Sequence, residues 1–349
     1  MANVLITGGS GYLGGSLLAY LKQNKDALPA GTTLYGLVRS EEQAEKTREH
    51  YGIEPVIIDL SSQDDITKTF EEKNITVVAF LIDARRSEVQ VRMIEALAKV
   101  QQKTGKQTHL IQTAGAKGFS SHADFQLDPP VSDEDERLYD IHKEGRNKRS
   151  LAKSMAEADV AIVEAAEKYG VRSYIVAPCI VYGEGQGFGN RISIQTVAVV
   201  KAAKATRMVY SVNQGKAIWP VCHVKDQSTL YAVLLNKILS GVDVSYNRNG
   251  FFLASPGHVA WRDLYAAMAK SLFGRGLIDD DQVHDADENA IAAMAKGLGT
   301  EPKMVPFSLG GICTWVPKHG KNIGWKPKFR PEHILEAADA EVDLILKNL

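Results

Sequence analysis

Apolar residues along the chain gather into short runs that alternate with helically spaced patterns, and this rhythm predicts the elements before any chemistry is considered. Asn3-Val4-Leu5-Ile6-Thr7 is a run of strand formers. The turn Gly8-Gly9-Ser10-Gly11-Tyr12-Leu13-Gly14 follows, and then Leu13, Leu17, Leu18 and Leu21 recur at the spacing of an amphipathic helix. Further strands are predicted over residues 33–38, 56–60, 76–82, 109–117 and 171–178, with Met93, Ile94, Leu97 and Val100 tracing a helical face between two of them. Residues 76–82 are almost wholly apolar, as a strand covered on both faces requires. Strands alternating with helices in this way predict the α/β class, a doubly wound parallel sheet with its ligand across the C-terminal strand edge.

Residues 120–136 interrupt the rhythm. Pro129-Pro130 and the run Asp133-Glu134-Asp135-Glu136 predict an exposed loop, with a lid as the alternative. One long helical region is predicted over residues 137–169, closed by Gly170, and Pro178-Cys179-Ile180-Val181-Tyr182-Gly183 leads into a glycine-rich loop ending at Gly189-Asn190. A second lobe is expected from there on. It holds helices over 192–205, 230–239, 261–273 and 287–296, a short strand over 251–254, and a terminal helix over 331–346 with proline in its first turn. Residues 219–226 read as a strand returning to the first domain. The predicted organisation is therefore 1–190 plus the returning 215–240 as the first domain, and 191–349 as a smaller, interleaved lobe.

The opening segment carries the chemistry. A strand, a glycine turn and a helix start together make a phosphate cradle: Gly8 for the tight turn, Gly11 for close approach of the backbone, Gly14 for helix–strand packing. Arg39 follows the second strand, where an acidic residue would accept from a ribose diol and a guanidinium can instead fork onto a 2′-phosphate, so NADP is expected, with NAD as the alternative. Asp59 ends the third strand and has two readings, acceptor for an adenine amino group or cap for the next helix. Forty-one basic and 42 acidic residues nearly cancel, which gives no pull toward nucleic acid or a membrane surface and leaves a small molecule as the expected partner. Cys179, Cys222 and Cys313 are far apart and without metal-ligand spacing, so no metal is expected, and three free thiols are. With no apolar run of spanning length and the first strand already at residue 3, a cytoplasmic protein is expected.

Taken together, the glycine motif, Asp59-Leu60, Pro178 to Gly183, the step His223-Val224-Lys225-Asp226 and Ile323-Gly324-Trp325-Lys326-Pro327 resemble the extended short-chain dehydrogenases/reductases, the NAD(P)-dependent epimerase/dehydratase family, and most of all its members from filamentous fungi. That resemblance covers nearly the whole chain. It implies a Rossmann domain with a C-terminal substrate lobe, and a dinucleotide held by Thr7, Gly8, Gly9, Ser10, Gly11, Tyr12, Leu13, Gly14, Arg39, Asp59, Leu60 and Pro178. It also implies a catalytic Tyr-x-x-x-Lys pair, which Tyr139 and Lys143 supply by spacing, and a strand-end hydroxyl, for which Thr113 is the local candidate. The expected activity is hydride transfer between nicotinamide and a carbonyl or alcohol carbon. Epimerase or dehydratase chemistry with a recycled hydride is the variant.

Tyr139 stands further ahead of Pro178 than the family places its tyrosine, and Thr113-Ala114-Gly115 replaces a serine-rich strand end. Both departures keep a second class open, a non-catalytic NADP-binding redox sensor of NmrA type. Lys117 is either an oxyanion or phosphate ligand or a solvated lysine, and His223 reads as structural. Lys143, Arg146, Lys148, Arg149 and Lys153 form either an anion site or a solvated helix face. Tyr182, Phe188, Asn190 and Trp219 are expected around a partly aromatic substrate cleft, and the helices over 88–100 and 151–169 at a homodimer interface.

Overall fold

The computed structural model describes residues 2–125, 127–145, 150–213 and 217–349. Its strands are β1 (Asn3–Ile6), β2 (Thr33–Val38), β3 (Glu54–Ile57), β4 (Ile75–Phe80), β5 (His109–Thr113), β6 (Val131–Ser132), β7 (Arg172–Pro178), β8 (Ile180–Tyr182), β9 (Val209–Ser211), β10 (Ile218–His223), β11 (Phe251–Ala254), β12 (Gly257–Ala260), β13 (Val283–Asp285) and β14 (Trp315–Val316). Seven of them form one parallel sheet in the order β11-β7-β5-β4-β1-β2-β3. The order reverses between β1 and β4, which opens a crevice beyond their C-terminal ends. β4 is buried at all six positions, in keeping with its apolar sequence.

Helices α1 (Tyr12–Gln23), α2 (Glu41–Tyr51), α3 (Gln63–Glu72), α4 (Glu88–Thr104), α5 (Leu138–Gly145), α6 (Lys153–Tyr169) and α8 (Val224–Leu239) cover this sheet and its edges, while α7 (Gln195–Thr206) packs against β8, β9 and the C-terminal helices. α1 packs on α8, and α4 packs between α3 and α6. Serine caps set two of the starts: the hydroxyls of Ser40 and Ser62 accept from the N–H groups of Gln43 and Asp65 at the heads of α2 and α3. Among the described residues no helix is long and apolar enough to cross a membrane.

Several expectations change. The region 137–169 is two helices rather than one, because His142 of α5 and Asp159 of α6 meet at 3.0 Å inside the core, whereas seventeen residues of unbroken helix would hold them roughly 25 Å apart. The predicted exposed loop at 120–136 is tied down: Ser121 and Val131 donate to the carbonyls of Ile312 and Thr314, and the carboxylate of Asp133 is buried. β10 pairs with β8 and β12 in a separate three-stranded sheet, and Val224 to Asp226, read as strand, begin α8. Residues 251–254, assigned to the second lobe, are the edge strand of the main sheet. The terminal helix is broken into His333–Glu336 and Ala338–Asn348.

His223 caps α8 by accepting the Lys225 N–H at its Nδ1, and its ring stacks on Phe329 at 3.9 Å. Burial lowers its pKa to about 4, and burial does the same for His109. Both rings are more readily protonated in the unfolded chain, so they contribute stability above about pH 6.5 that is lost as the pH falls toward 4. The melting temperature should therefore drop between pH 7 and 4.5. His223→Asn, which keeps a capping oxygen, should flatten that drop; an unaltered slope would contradict the assignment.

Candidate cofactor and active-site cleft

The turn after β1 is built without room for side chains. Gly8 has φ +71°, and a Cβ there would lie 2.8 Å from the Leu81 carbonyl oxygen. A Cβ at Gly14 would lie 2.4 Å from the Gly8 carbonyl oxygen. Thr7 fastens the end of β1 to β4, its N–H donating to the Ala79 carbonyl and its hydroxyl accepting from the Leu81 N–H at 2.8 Å. On the outside of the turn the carbonyls are covered. The N–H groups of Gly189 and Asn190 both donate to the Ser10 carbonyl, at 2.9 and 3.0 Å, and the Tyr51 hydroxyl donates to that of Gly9 at 2.7 Å. The N–H groups of Tyr12 and Leu13, in the first turn of α1, have no intrahelical acceptor, and both residues line the cleft described next. This is a cradle for an anion, formed by backbone that a Cβ would fill, and it fits a dinucleotide diphosphate.

A cleft of about 610 Å³ runs from this turn across the ends of β4, β5 and β7. Thr113, Lys117, Met155, Pro178, Asn190 and Trp219 are among the residues on its walls. Ile82 and Ile194, 54% and 77% exposed, also line it. Thr113 reaches it with its hydroxyl 2.6 Å from that of the buried Tyr231 on α8. Lys117 lies on the single helical turn Ala116–Phe119 after β5, its ammonium 4.1 Å from the centre of the Phe307 ring. Burial first, and then Arg85, lower its pKa to about 8. Asp83 accepts from the Arg85 N–H at 2.8 Å and lies 3.8 Å from the Arg86 guanidinium.

The structure does not bring Tyr139 and Lys143 to this cleft. α5 docks so that the Tyr139 hydroxyl donates to Glu164 of α6 at 3.3 Å, under the Arg248 guanidinium at 4.8 Å, and Lys143 pairs with the same Glu164 at 2.9 Å. Burial and the neighbouring Glu164 carboxylate raise the Tyr139 pKa, the direction opposite to an activated phenol. The residue α6 turns toward Gly115 at the strand end is Met155. Tyr182 is also absent from the described lining, bonded at 3.0 Å to His333, and Phe188 packs on Tyr51 and His50 instead.

Arg39, Asp59 and Leu60 stand at the far ends of β2 and β3, outside the cleft. Arg39 is exposed and has no ion-pair partner among the described residues. Asp59 accepts from both the N–H and the hydroxyl of Ser61, at 2.9 and 2.6 Å, and those bonds lower its pKa, while Ser62 serves as the cap of α3. Arg146, Lys148 and Arg149 lie outside the described residues, and Lys153 pairs with Glu157 at 3.4 Å. All three cysteines are buried free thiols. Among the described residues no cluster of His, Cys, Asp or Glu could hold a metal ion.

Tyr51, Tyr231, Met155 and the Asp83 to Arg86 loop were not singled out by sequence. The loop had a signal, since it follows β4 directly; Tyr231 had none, being 118 residues from Thr113.

A family model for the NAD dependent epimerase/dehydratase family matches residues 4–247, more than half of the chain. No curated protein matches in sequence. Among solved structures, the chain is similar to the dTDP-glucose 4,6-dehydratase of Bacillus anthracis in complex with NAD, at 13% identity and TM-score 0.64, covering 100% of this chain and 97% of that one. The UDP-glucose 4-epimerase of Thermus thermophilus with NAD matches at 15% identity and TM-score 0.61, covering 99% and 100%. Vestitone reductase from alfalfa matches at 16% identity and TM-score 0.59, covering 100% and 99%. At these identities the likeness is one of fold.

Proposed function

The chain belongs to the NAD dependent epimerase/dehydratase family, an NAD(P)-dependent group of oxidoreductase type, and from that premise we propose that it is an NADP-dependent oxidoreductase acting between the carbonyl and alcohol forms of a small organic substrate. The carrying observation is that the first turn of α1, with Tyr12 and Leu13, and Thr113 at the end of β5 line one cleft. When bound, the dinucleotide would supply or accept the hydride. The backbone of Gly8 to Gly14 would hold its diphosphate, Arg39 its 2′-phosphate, Asp59 and Leu60 its adenine, and Pro178 would wall the nicotinamide end. Thr113, oriented by Tyr231, offers a hydrogen bond to a substrate oxygen, and Ile82, Ile194 and Trp219 suit an apolar substrate body.

Calorimetry of ligand-stripped protein should give heat with NADPH, and a panel of small carbonyl compounds should oxidise it in proportion to product. Product without net oxidation would indicate a recycled hydride, as in an epimerase or dehydratase. Arg39→Ala should weaken NADPH roughly 10- to 100-fold, the loss of a charge-assisted contact, and leave NADH within about twofold; equal weakening of both would remove Arg39 from the 2′-phosphate.

A second reading, a sensor that holds the dinucleotide without turning it over, is favoured by one observation: Tyr139 and Lys143 are engaged with Glu164 away from the cleft. NADPH binding with no oxidation across the panel would select it. Pairing of two copies through α4 and α6, which lie side by side, is part of the first reading, with mass in solution as its check. The three free thiols suit the cytoplasm.

A further inference from the structure

Reduction of a carbonyl needs a proton at the oxygen, and the cleft holds few groups that could deliver one. The Tyr12 hydroxyl donates to the Gly183 carbonyl at 2.7 Å, and burial raises its pKa well above the usual value. The Cys179 thiol faces the Ala254 carbonyl at 3.3 Å, and burial raises its pKa as well. Arg85 and Arg86 do not release protons at any working pH, and Asp83 accepts from the Arg85 N–H. Lys117 differs from all of these. Its backbone is pinned on both sides, by the Gly118 N–H to the Gly115 carbonyl at 3.0 Å and by the Ser120 hydroxyl to its own carbonyl at 2.9 Å. Its ammonium rests on an aromatic face, with no carboxylate within 4 Å among the described residues.

Resting on the oxidoreductase reading, we propose that Lys117 is the catalytic proton donor of this cleft, in the place that Tyr139 and Lys143 do not occupy. The reduced dinucleotide, when bound, would supply the hydride to the substrate carbonyl carbon and be oxidised in doing so; the part of this chain is the proton. The carbonyl oxygen takes a proton from Nζ of Lys117, the N–H bond breaks with its electron pair left on nitrogen, and solvent returns a proton to the amine. Thr113 positions the same oxygen. The charges around the amine explain its readiness. Burial and Arg85 on the loop after β4 disfavour the ammonium, Phe307 favours the cation through its ring face, and burial lowers the pKa of His122 in the next helical turn; behind the turn, Met155 of α6 and His142, paired with Asp159 of α6, lie beside Gly118. An amine titrating near the working pH is matched to general acid chemistry.

Two measurements test this on the full chain. Competitive acetylation of ligand-free protein with acetic anhydride, read by peptide mass spectrometry from pH 6 to 11, should give Lys117 half-reactivity near pH 8. A midpoint at the ordinary lysine value of about 10.4 would overturn the proposal. With NADPH and the best carbonyl substrate, Lys117→Met should lower kcat by about 10²–10⁴-fold and leave the NADPH affinity and melting temperature little changed. Lys117→Arg, which keeps the charge and cannot release the proton, should lose as much. The wild-type rate should decline above about pH 8 as the ammonium is lost, and that limb should vanish in Lys117→Met. Retention of both rate and limb by Lys117→Met would remove Lys117 and leave the oxidoreductase reading intact, whereas absence of turnover in the wild type with NADPH bound would remove both.

Discussion

Gly14→Val is expected to abolish detectable NADPH binding and to lower the melting temperature of the ligand-free protein. A Cβ at this position would lie 2.4 Å from the Gly8 carbonyl oxygen, 2.6 Å from its carbon and 2.7 Å from the Thr7 carbonyl oxygen. All three atoms are backbone, so no side chain can swing aside. Either α1 moves away from β1 or the turn opens, and both displace the N–H groups of Tyr12 and Leu13. Overpacking of this kind costs about 1–3 kcal/mol and at times more, and a cradle displaced by even part of an ångström should bind its anion at least about 100-fold more weakly. Gly274→Ala is the control, because nothing lies within 4 Å of a Cβ there. Calorimetric heat from Gly14→Val equal to wild type would show that the turn is not the anion site.

The second large effect is expected far from the cleft. Asp133 is 3% exposed and joins three segments: one carboxylate oxygen accepts from the N–H groups of Lys318 and His319, at 2.7 and 3.2 Å, and the other from Leu253 at 3.1 Å. Asp133→Ala would leave three donors unpaired, a buried one on β11 and two partly buried ones on the C-terminal segment, and would release the 120–136 strap from both. At about 1–3 kcal/mol for each orphaned group, less what water recovers, the loss should reach roughly 3–5 kcal/mol. That corresponds to a fall of roughly 5–10 °C in melting temperature. Asp133→Asn keeps one acceptor and should fall between. Limited proteolysis should cut Asp133→Ala within 120–136 under conditions where the wild type resists; equal resistance and an unchanged melting curve would show that the strap is held by other contacts.

The strap also illustrates what a sequence conceals. Asp133-Glu134-Asp135-Glu136 reads as one acidic surface run, and charge runs normally are. The partners that bury Asp133 come from residues 253, 318 and 319, and no local pattern announces them. Tyr139 and Lys143 teach the same lesson from the other side. Their spacing on a helix was legible and α5 does form, but a shared helical face says nothing about what that face meets. It meets Glu164 and Arg248, because α5 ends at Gly145 and folds back on α6 through His142 and Asp159.

What the chain determined by itself is the Rossmann sheet and its opening turn. Alternating apolar runs and helical faces are local, periodic signals, and glycines at 8, 11 and 14 answer steric demands made by atoms only a few residues away, except where β4 closes in on Gly8. What tertiary packing alone decided is the content of the cleft. Thr113, Lys117, Met155 and the Asp83 to Arg86 loop become one surface only when β4, β5 and α6 are laid side by side, and Tyr231 reaches Thr113 only once α8 has docked on the sheet. A polar side chain's role depends on its desolvation and on neighbours distant in sequence, and neither exists until the core has closed.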